Sequence, residues 1–385
     1  MVYNFRRFLK ITFLSFFKAE GTQARLTPKR ILVLLLFYTI YVIIEITTWI
    51  SFLMDDIFFP KYRKREIKEP LFIIGNPRSG TTFLHRLIAK DEANFTSLRL
   101  WQILFAPSVT QRKIGKAVAN LDRKLGEALH RILFKIDRGI RASNVMHRIS
   151  LLIPEEDEYL MIHSGSTIIA GLFFGFPREA YPFVYFDQRL SKREKRRDMR
   201  FYRHCLQRHL HAHEIEDKHI LSKNPYFTPK VDALYRRFPD AKIVYLARNP
   251  LKVIPSYASL SAHWWRLLCE PEERYPHMEY VLTATQHWYR YPVKRLEEAP
   301  EENRIFVNFH DLVADPERIV TEIYDRFDIE ITPEFAAILK EEAEKAKNHK
   351  SKHKYSLEAV GLTRQEILTT YSDVFERWGF DKDIA

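Results

Sequence analysis

The sequence predicts an α/β fold: a phosphate-loop-like, three-layer domain with a central parallel sheet, a helical insertion and an N-terminal membrane helix. Three observations predict it. Residues 71–91, LFIIGNPRSGTTFLHRLIAKD, run from a short apolar stretch through a glycine-bracketed loop into an amphipathic helix. Three later β-rich runs, HILS (219–222), KIVYLA (242–247) and RIFVNF (304–309), are each followed by a helical pattern. Strands alternating with helices make a parallel sheet covered on both faces. Residues 31–54 form 24 mostly apolar positions carrying one charge, Glu45.

That apolar run comes first in the chain. At about 1.5 Å per residue it is long enough to cross a bilayer core. Thr27-Pro28 supplies a helix start, and Tyr38, Tyr41 and Trp49 suit an interface. No small-residue cleavage site follows, so it does not read as a cleaved signal. Glu45 opposes the assignment, because a carboxylate in hydrocarbon costs about 2.5–3.5 kcal/mol on insertion scales. Lys29 and Arg30 precede the run, and Lys61, Arg63, Lys64 and Arg65 follow it, so charge leaves the orientation open. Upstream, FRRFLKITFLSFFK (5–18) is aromatic and basic and suits a membrane surface. Residues 1–66 are therefore expected to be a membrane-associated region, and 67–385 the catalytic domain, entered through the charged segment KYRKREIKEP (61–70). Residues 110–215 lack strand patterns and read as a helical insertion.

Composition narrows the partners less. With 61 Lys and Arg against 49 Asp and Glu, the net charge is +12. That surplus suits a polyanionic ligand or an anionic membrane face. No nucleic-acid motif accompanies it. Cys205 and Cys269 are the two cysteines, too few for a disulfide framework, and they favour a reducing compartment. Asn94-Phe95-Thr96 is a glycosylation triplet of a kind that arises by chance. His209 and His213 stand one helical turn apart but lack a complete ligand set, so no metal is expected.

The loop GNPRSGTT carries the chemistry. Gly75 and Gly80 permit tight turns, and loop N–H groups and the start of the next helix face an anion. Ser79, Thr81 and Thr82 add hydroxyls, and Arg78 adds a planar fork for oxyanions. A triphosphatase loop has lysine after its last glycine; this chain has Thr81. That argues against a nucleotide-dependent kinase, which stays as the alternative beside a non-catalytic nucleotide- or lipid-binding membrane protein.

NPRSGTTFLHRL resembles the 5′-phosphosulfate loop of sulfotransferases that use 3′-phosphoadenosine 5′-phosphosulfate (PAPS), in particular the broad bacterial branch. FPDAKIVYLARNPLKVIPSY (238–257) resembles their 3′-phosphate site, a strand ending in arginine with a serine eight residues on: Arg248 and Ser256. The resemblance covers about residues 70–380. It implies PAPS as donor, a hydroxyl acceptor, and cofactor contacts from Asn76, Pro77, Arg78, Ser79, Gly80, Thr81, Thr82, Arg248 and Ser256. LSKNPYFTPKV (221–231) resembles the segment bearing the family's catalytic lysine, here Lys223. KNHKSKHKYSLEAVGL (347–362) resembles a basic loop over the cofactor, which implies Lys352, His353 and Lys354, with Tyr355 and Ser356 behind them. Arg78 and Lys223 are expected to stabilise the bridging oxygen.

The general base departs from the pattern. Cytosolic members place a histidine two residues after the lysine; here that position is Pro225. Other branches place a glutamate shortly after the loop helix; here TSLRLWQ has none. The acidic segment LLIPEEDEYLMIHSG (151–165) supplies Glu156, then Glu158 and Glu155, as candidates, with His263 in SAHWWR as another. The anchor points to a lipid-like or membrane-borne hydroxyl acceptor, handled at the cytosolic face of a bacterial inner membrane, with a Golgi lumen as the alternative compartment.

Overall fold

A computed structural model describes residues 3–143, 150–347 and 356–383. Five parallel strands form the sheet: β1 Leu71–Gly75, β2 Phe95–Thr96, β3 His219–Lys223, β4 Lys242–Ala247 and β5 Arg304–Asn308, in the order β2-β3-β1-β4-β5. The helices used below are α1 Phe5–Phe17, α2 Pro28–Phe58, α3 Thr81–Ile88, α4 Val109–Lys124, α5 Ala128–Ser143, α6 Lys192–Ala212, α7 Val231–Arg237, α8 Pro250–Leu268, α9 Met278–Glu297, α10 Pro316–Arg326 and α11 Pro333–Lys347.

The central strands are apolar on both faces because both faces are covered. All five residues of β1 and all six of β4 are buried. Leu71, Ile73, Val244 and Leu246 pack under α3, α10 and α11. Phe72, Ile74, Ile243 and Tyr245 face α6, α7, α8 and α9. This is the expected three-layer α/β arrangement. β2 was not foreseen. It is two residues long and lies inside the glycosylation triplet. Asn94 bonds Asp91 and Glu330, and Thr96 bonds His209, so these side chains have structural partners.

Residues 110–215 contain no strand among those described, as the pattern implied. The charged segment 61–70 is packed against the domain: Tyr62 is fully buried and Gln207 of α6 donates to the carbonyls of Arg63 and Arg65.

The apolar run extends to 31 residues in α2, and by length and composition it could cross a membrane. Thr27 caps it with Pro28 in the first turn. Glu45, the residue that opposed a membrane reading, has a partner. Its Oε1 lies 2.7 Å from Nδ1 of His163, whose Nε2 lies 2.9 Å from the Ile103 carbonyl. Both neighbours of the ring are acceptors, so both nitrogens carry protons. Burial alone would lower the His163 pKa; the Glu45 charge and these hydrogen bonds outweigh it and raise it above the ordinary 6.5.

A raised folded value stabilises fully below the unfolded value of about 6.5, and that contribution is lost as pH rises through the folded value. Removing one member of a buried pair costs about 3–5 kcal/mol. Glu45→Ala should therefore lower the melting temperature clearly at pH 6 in detergent, and less so in alkaline buffer. A drop independent of pH would contradict the protonated pair.

Candidate active site

The site forms where β1 and β4 end. Gly75 (φ +148°) closes β1; a Cβ there would stand 2.3 Å from the Leu246 carbonyl oxygen. Gly80 (φ +102°) precedes α3, and its Cβ would stand 2.3 Å from the Phe309 ring. Between them Arg78 takes a left-handed φ of +72°, a costly conformation for a side-chain-bearing residue and one that clusters at ligand sites. Thr228 latches the turn by bonding both N–H and carbonyl of Gly75, at 2.9 and 2.8 Å. The result is a tight loop with its amides at a helix start, built for an anion.

Two polar atoms of this loop lack partners. Asn76 Oδ1 and Ser79 Oγ are buried with no hydrogen bond. Buried polar groups are nearly always satisfied, so such a pair in a loop of this shape is what a bound oxyanion would explain.

The second motif meets the first. Arg78 Nε donates to Ser256 Oγ at 3.0 Å. Arg248 donates to the Arg78 carbonyl at 3.0 Å and lies 4.3 Å over the Phe309 ring. Tyr289 donates to the Arg248 carbonyl at 2.5 Å. Residues 170 positions apart in sequence thus share one mouth.

A cavity of about 910 Å³ opens on this mouth. Pro77, Arg78, Gly80, Thr81, Thr82 and Arg248 line it, and Glu156 projects into it. Asn76, Ser79, Ser256 and Lys223 lie just beneath the surface, each at most 3% exposed. Lys223 comes off the end of β3 and bonds Glu156 at 2.8 Å, with Glu155 at 3.8 Å. The lysine is therefore joined to the cavity through Glu156 and is not itself on the cavity wall, where the expected contact with a bridging oxygen would place it.

The other candidate bases sit elsewhere. Glu158 is fully buried and held by Lys230 at 2.9 Å and Thr167 at 3.0 Å; it lines no part of the cavity. A 3₁₀ turn from Asp157 sends neighbouring acids in different directions. His263 also stays off the cavity wall; the next two residues of α8, Trp264 and Trp265, line it instead. Lys352, His353, Lys354 and Tyr355 lie outside the described residues.

Sequence reasoning missed several groups. Tyr159 and Tyr226 line the cavity beside Glu156. His277 lines it too and packs 3.9 Å from Trp265; burial pushes its pKa down to about 4, so it is neutral. His85, one turn into α3, is kept neutral by burial and the Lys223 charge. Asp157 was read as one of an acidic run. It accepts from Tyr202 and from Asn224 at 3.2 Å, fixing the turn that aims Glu156. No motif flags these positions.

The sulfotransferase family model matches residues 70–333. The chain belongs to the sulfotransferase family. Among its curated relatives, the omega-hydroxy-beta-dihydromenaquinone-9 sulfotransferase Stf3 of Mycobacterium bovis and of Mycobacterium tuberculosis is 23% identical over 332 residues, 81% of this chain and 76% of the relative. Sulfotransferase STF1 from Mycobacterium tuberculosis superposes with a TM-score of 0.64 at 21% identity, covering 84% of this chain and 81% of that one. Sulfotransferase STF9 from Mycobacterium avium gives 0.65 at 20%, covering 86% and 82%. These structures share the fold. This sulfotransferase is a transferase of the bacterial type, and its phosphate loop lies within the matched region.

Burial pushes the Asp157 carboxyl up to about 6, against the hydrogen bonds from Tyr202, Ser222 and Asn224. Its stabilising protonation is complete below about 3.8 and is lost as pH rises through about 6. Asparagine mimics the protonated acid and does not titrate. Asp157→Asn should therefore cost less stability at pH 7 than at pH 5, measured by denaturant midpoints. A larger cost at pH 7 would show that the charged carboxylate is the favoured form.

Proposed function

We propose that this sulfotransferase moves the sulfuryl group of PAPS to a hydroxyl of a lipid-like, membrane-borne acceptor. One observation carries the reading: a single cavity has the phosphate loop in one wall and an aromatic, apolar wall backed by the N-terminal helices. Leu172, Phe173, Trp264 and Trp265 line that second wall. The adjoining Phe174 packs on Phe37 of α2 at 5.0 Å, and its carbonyl accepts from Arg30.

The residues fit the donor. The unpartnered Asn76 and Ser79 atoms, the loop amides and Arg78 suit its 5′ end. Arg248 and Ser256 suit a 3′-phosphate monoester. When bound, PAPS supplies an activated sulfuryl group on a phosphate leaving group. Arg78 stands where negative charge on that side of the cavity is stabilised. Glu156 takes the proton of the acceptor hydroxyl, and Lys223 fixes its carboxylate in position. Tyr159 and Tyr226 line this corner of the cavity. No metal-ligand group forms among the described residues, and none is assigned a role.

The acceptor class follows from the apolar wall and from the relatives. The Mycobacterium protein's name gives an omega-hydroxy-beta-dihydromenaquinone-9 as the molecule sulfated, a hydroxyl on a long apolar molecule. Two buried thiols, Cys205 and Cys269, and the bacterial relatives support the cytosolic face of a bacterial inner membrane over a Golgi lumen.

Labelled PAPS offered with membrane lipid extract, or with soluble phenols and sugars, tests the reading. Sulfated product is expected in the lipid fraction. Equal turnover of the soluble acceptors would remove the lipid assignment. Glu156→Gln should lower kcat by roughly 10²–10⁴-fold while leaving 3′-phosphoadenosine 5′-phosphate affinity close to wild type. Retained kcat would move the base to another group.

A further inference from the structure

The helix α2 gathers its polar residues on its buried side, beside Leu34 and Phe52, and is apolar on its exposed side. Arg30, Glu45, Thr48, Ser51 and Asp55 are all buried. The exposed positions between Ile31 and Phe58 are apolar except for Thr39 and Thr47. Ile43, Leu53 and Ile57 are each about 60% exposed (59%, 61% and 62%). A surface helix of a water-soluble domain has the opposite arrangement.

The buried face is bonded from end to end. Arg30 reaches Cys269 and the Phe174 carbonyl. Tyr41 donates to the Ile162 carbonyl at 3.1 Å, and Glu45 meets His163. Asp55 accepts from the backbone of Val109 and Thr110 and from Arg208. From Arg30 to Asp55 is about 37 Å along a helix axis, more than a hydrocarbon core of roughly 30 Å. The catalytic domain therefore flanks the whole length of α2. A helix crossing the bilayer with these contacts intact would carry Arg208, His163 and their charged surroundings into hydrocarbon.

Neighbouring helices continue the pattern. Phe5, Leu9, Phe13 and Phe17 form an exposed i, i+4 row on α1, which packs on α2 through Phe8 against Tyr38 and Tyr41. Ile114, Val118 and Leu121 make a similar exposed row on α4, continued by Leu125 just past its end. The charges beside these rows are mainly basic. α1 carries Arg6 and Lys10, the latter paired with Glu179, and no acid, while its Arg7 turns inward to the Thr167 carbonyl; α4 carries Lys113, Lys116, Arg123 and Lys124 against Asp122 alone, with Arg112 buried. The acids of α2 are engaged: Glu45 and Asp55 as above, and Asp56 with Tyr62 and Arg63. An apolar surface of this extent with a basic surround matches one leaflet of an anionic bilayer.

We propose that α2 lies in the plane of the membrane, embedded with α1 and α4 in a single leaflet, and does not span it. Both ends of α2 then face the same compartment. The cavity wall at Leu172 and Phe173 sits directly behind the embedded helix, so an apolar acceptor enters from the leaflet without crossing water. This builds on the membrane attachment proposed above and specifies its geometry.

Single cysteines test it in the full-length protein, because Cys205 and Cys269 are buried and silent. Glu20→Cys, Ile46→Cys and Lys64→Cys all fall on exposed positions. A membrane-impermeant maleimide is applied to sealed vesicles of both orientations. Glu20→Cys and Lys64→Cys should react from the same side, and Ile46→Cys only after detergent is added. Reaction from opposite sides would establish a spanning helix and overturn the proposal. Reaction of Ile46→Cys without detergent, or recovery of the protein as a soluble self-associated species, would overturn it in favour of water or a second copy covering the face. Leu53→Asp should abolish flotation with phosphatidylglycerol-containing vesicles while leaving 3′-phosphoadenosine 5′-phosphate binding intact. Unchanged flotation would contradict embedding. These readouts do not involve the donor, so failure of the sulfotransferase chemistry would register separately, in the nucleotide titration.

Discussion

Between the ends of β1 and β4 there is no room for a Cβ. The positive φ of Gly75, paired with Leu246 in the parallel ladder, would aim a Cβ straight at the Leu246 carbonyl oxygen, 2.3 Å away. Arg78 follows the first strand by three residues, and Arg248 follows the second by one. Their contact through the Arg78 carbonyl depends on that approach. So does the position of Ser256, which Arg78 reaches directly. A bulkier residue at 75 would separate the strands and pull the two halves of the anion site apart. The left-handed turn at Arg78 is tolerated because β1, α3 and Thr228 hold it from three sides.

The cavity floor has a second dependency. Lys223 and Glu156 are 67 residues apart and meet because β3 lies next to β1 and the turn at 157–164 is fixed by buried polar contacts. Asp157 and Glu158 do not face the cavity; they are the posts on which Glu156 is mounted. Lys230 neutralises one, and Tyr202 with Asn224 hydrogen-bonds the other. The same turn receives α2 through His163. The machinery that aims the carboxylate and the contact that docks the amphipathic helix therefore share eight residues.

Much of the architecture was legible because short, fully apolar runs bounded by glycine and proline have few alternatives. The runs at 71–75 and 242–247 coincide with β1 and β4, and those at 219–222 and 304–309 match β3 and β5 within a residue. β2 escaped because two residues carry no periodicity. The anion loop and Arg248 could be located from local motifs. The choice among Glu155, Glu156 and Glu158 could not, since these acids straddle the start of a 3₁₀ turn at Asp157, point in different directions, and are distinguished only by their tertiary partners. The partner of Glu45 lies 118 residues away, so the sequence showed a charge in an apolar helix and not its neutralisation.

The most direct test of the account is calorimetric titration of the full-length protein in detergent with 3′-phosphoadenosine 5′-phosphate and with ATP, for wild type and Arg248→Ala. The account predicts micromolar binding of the bisphosphate, roughly −8 kcal/mol, weaker binding of ATP, and loss of bisphosphate affinity in the variant. Equal affinity for ATP, or a variant that binds as wild type does, would contradict the assignment of Arg248 to a 3′-phosphate and with it the joining of the two motifs into one donor site.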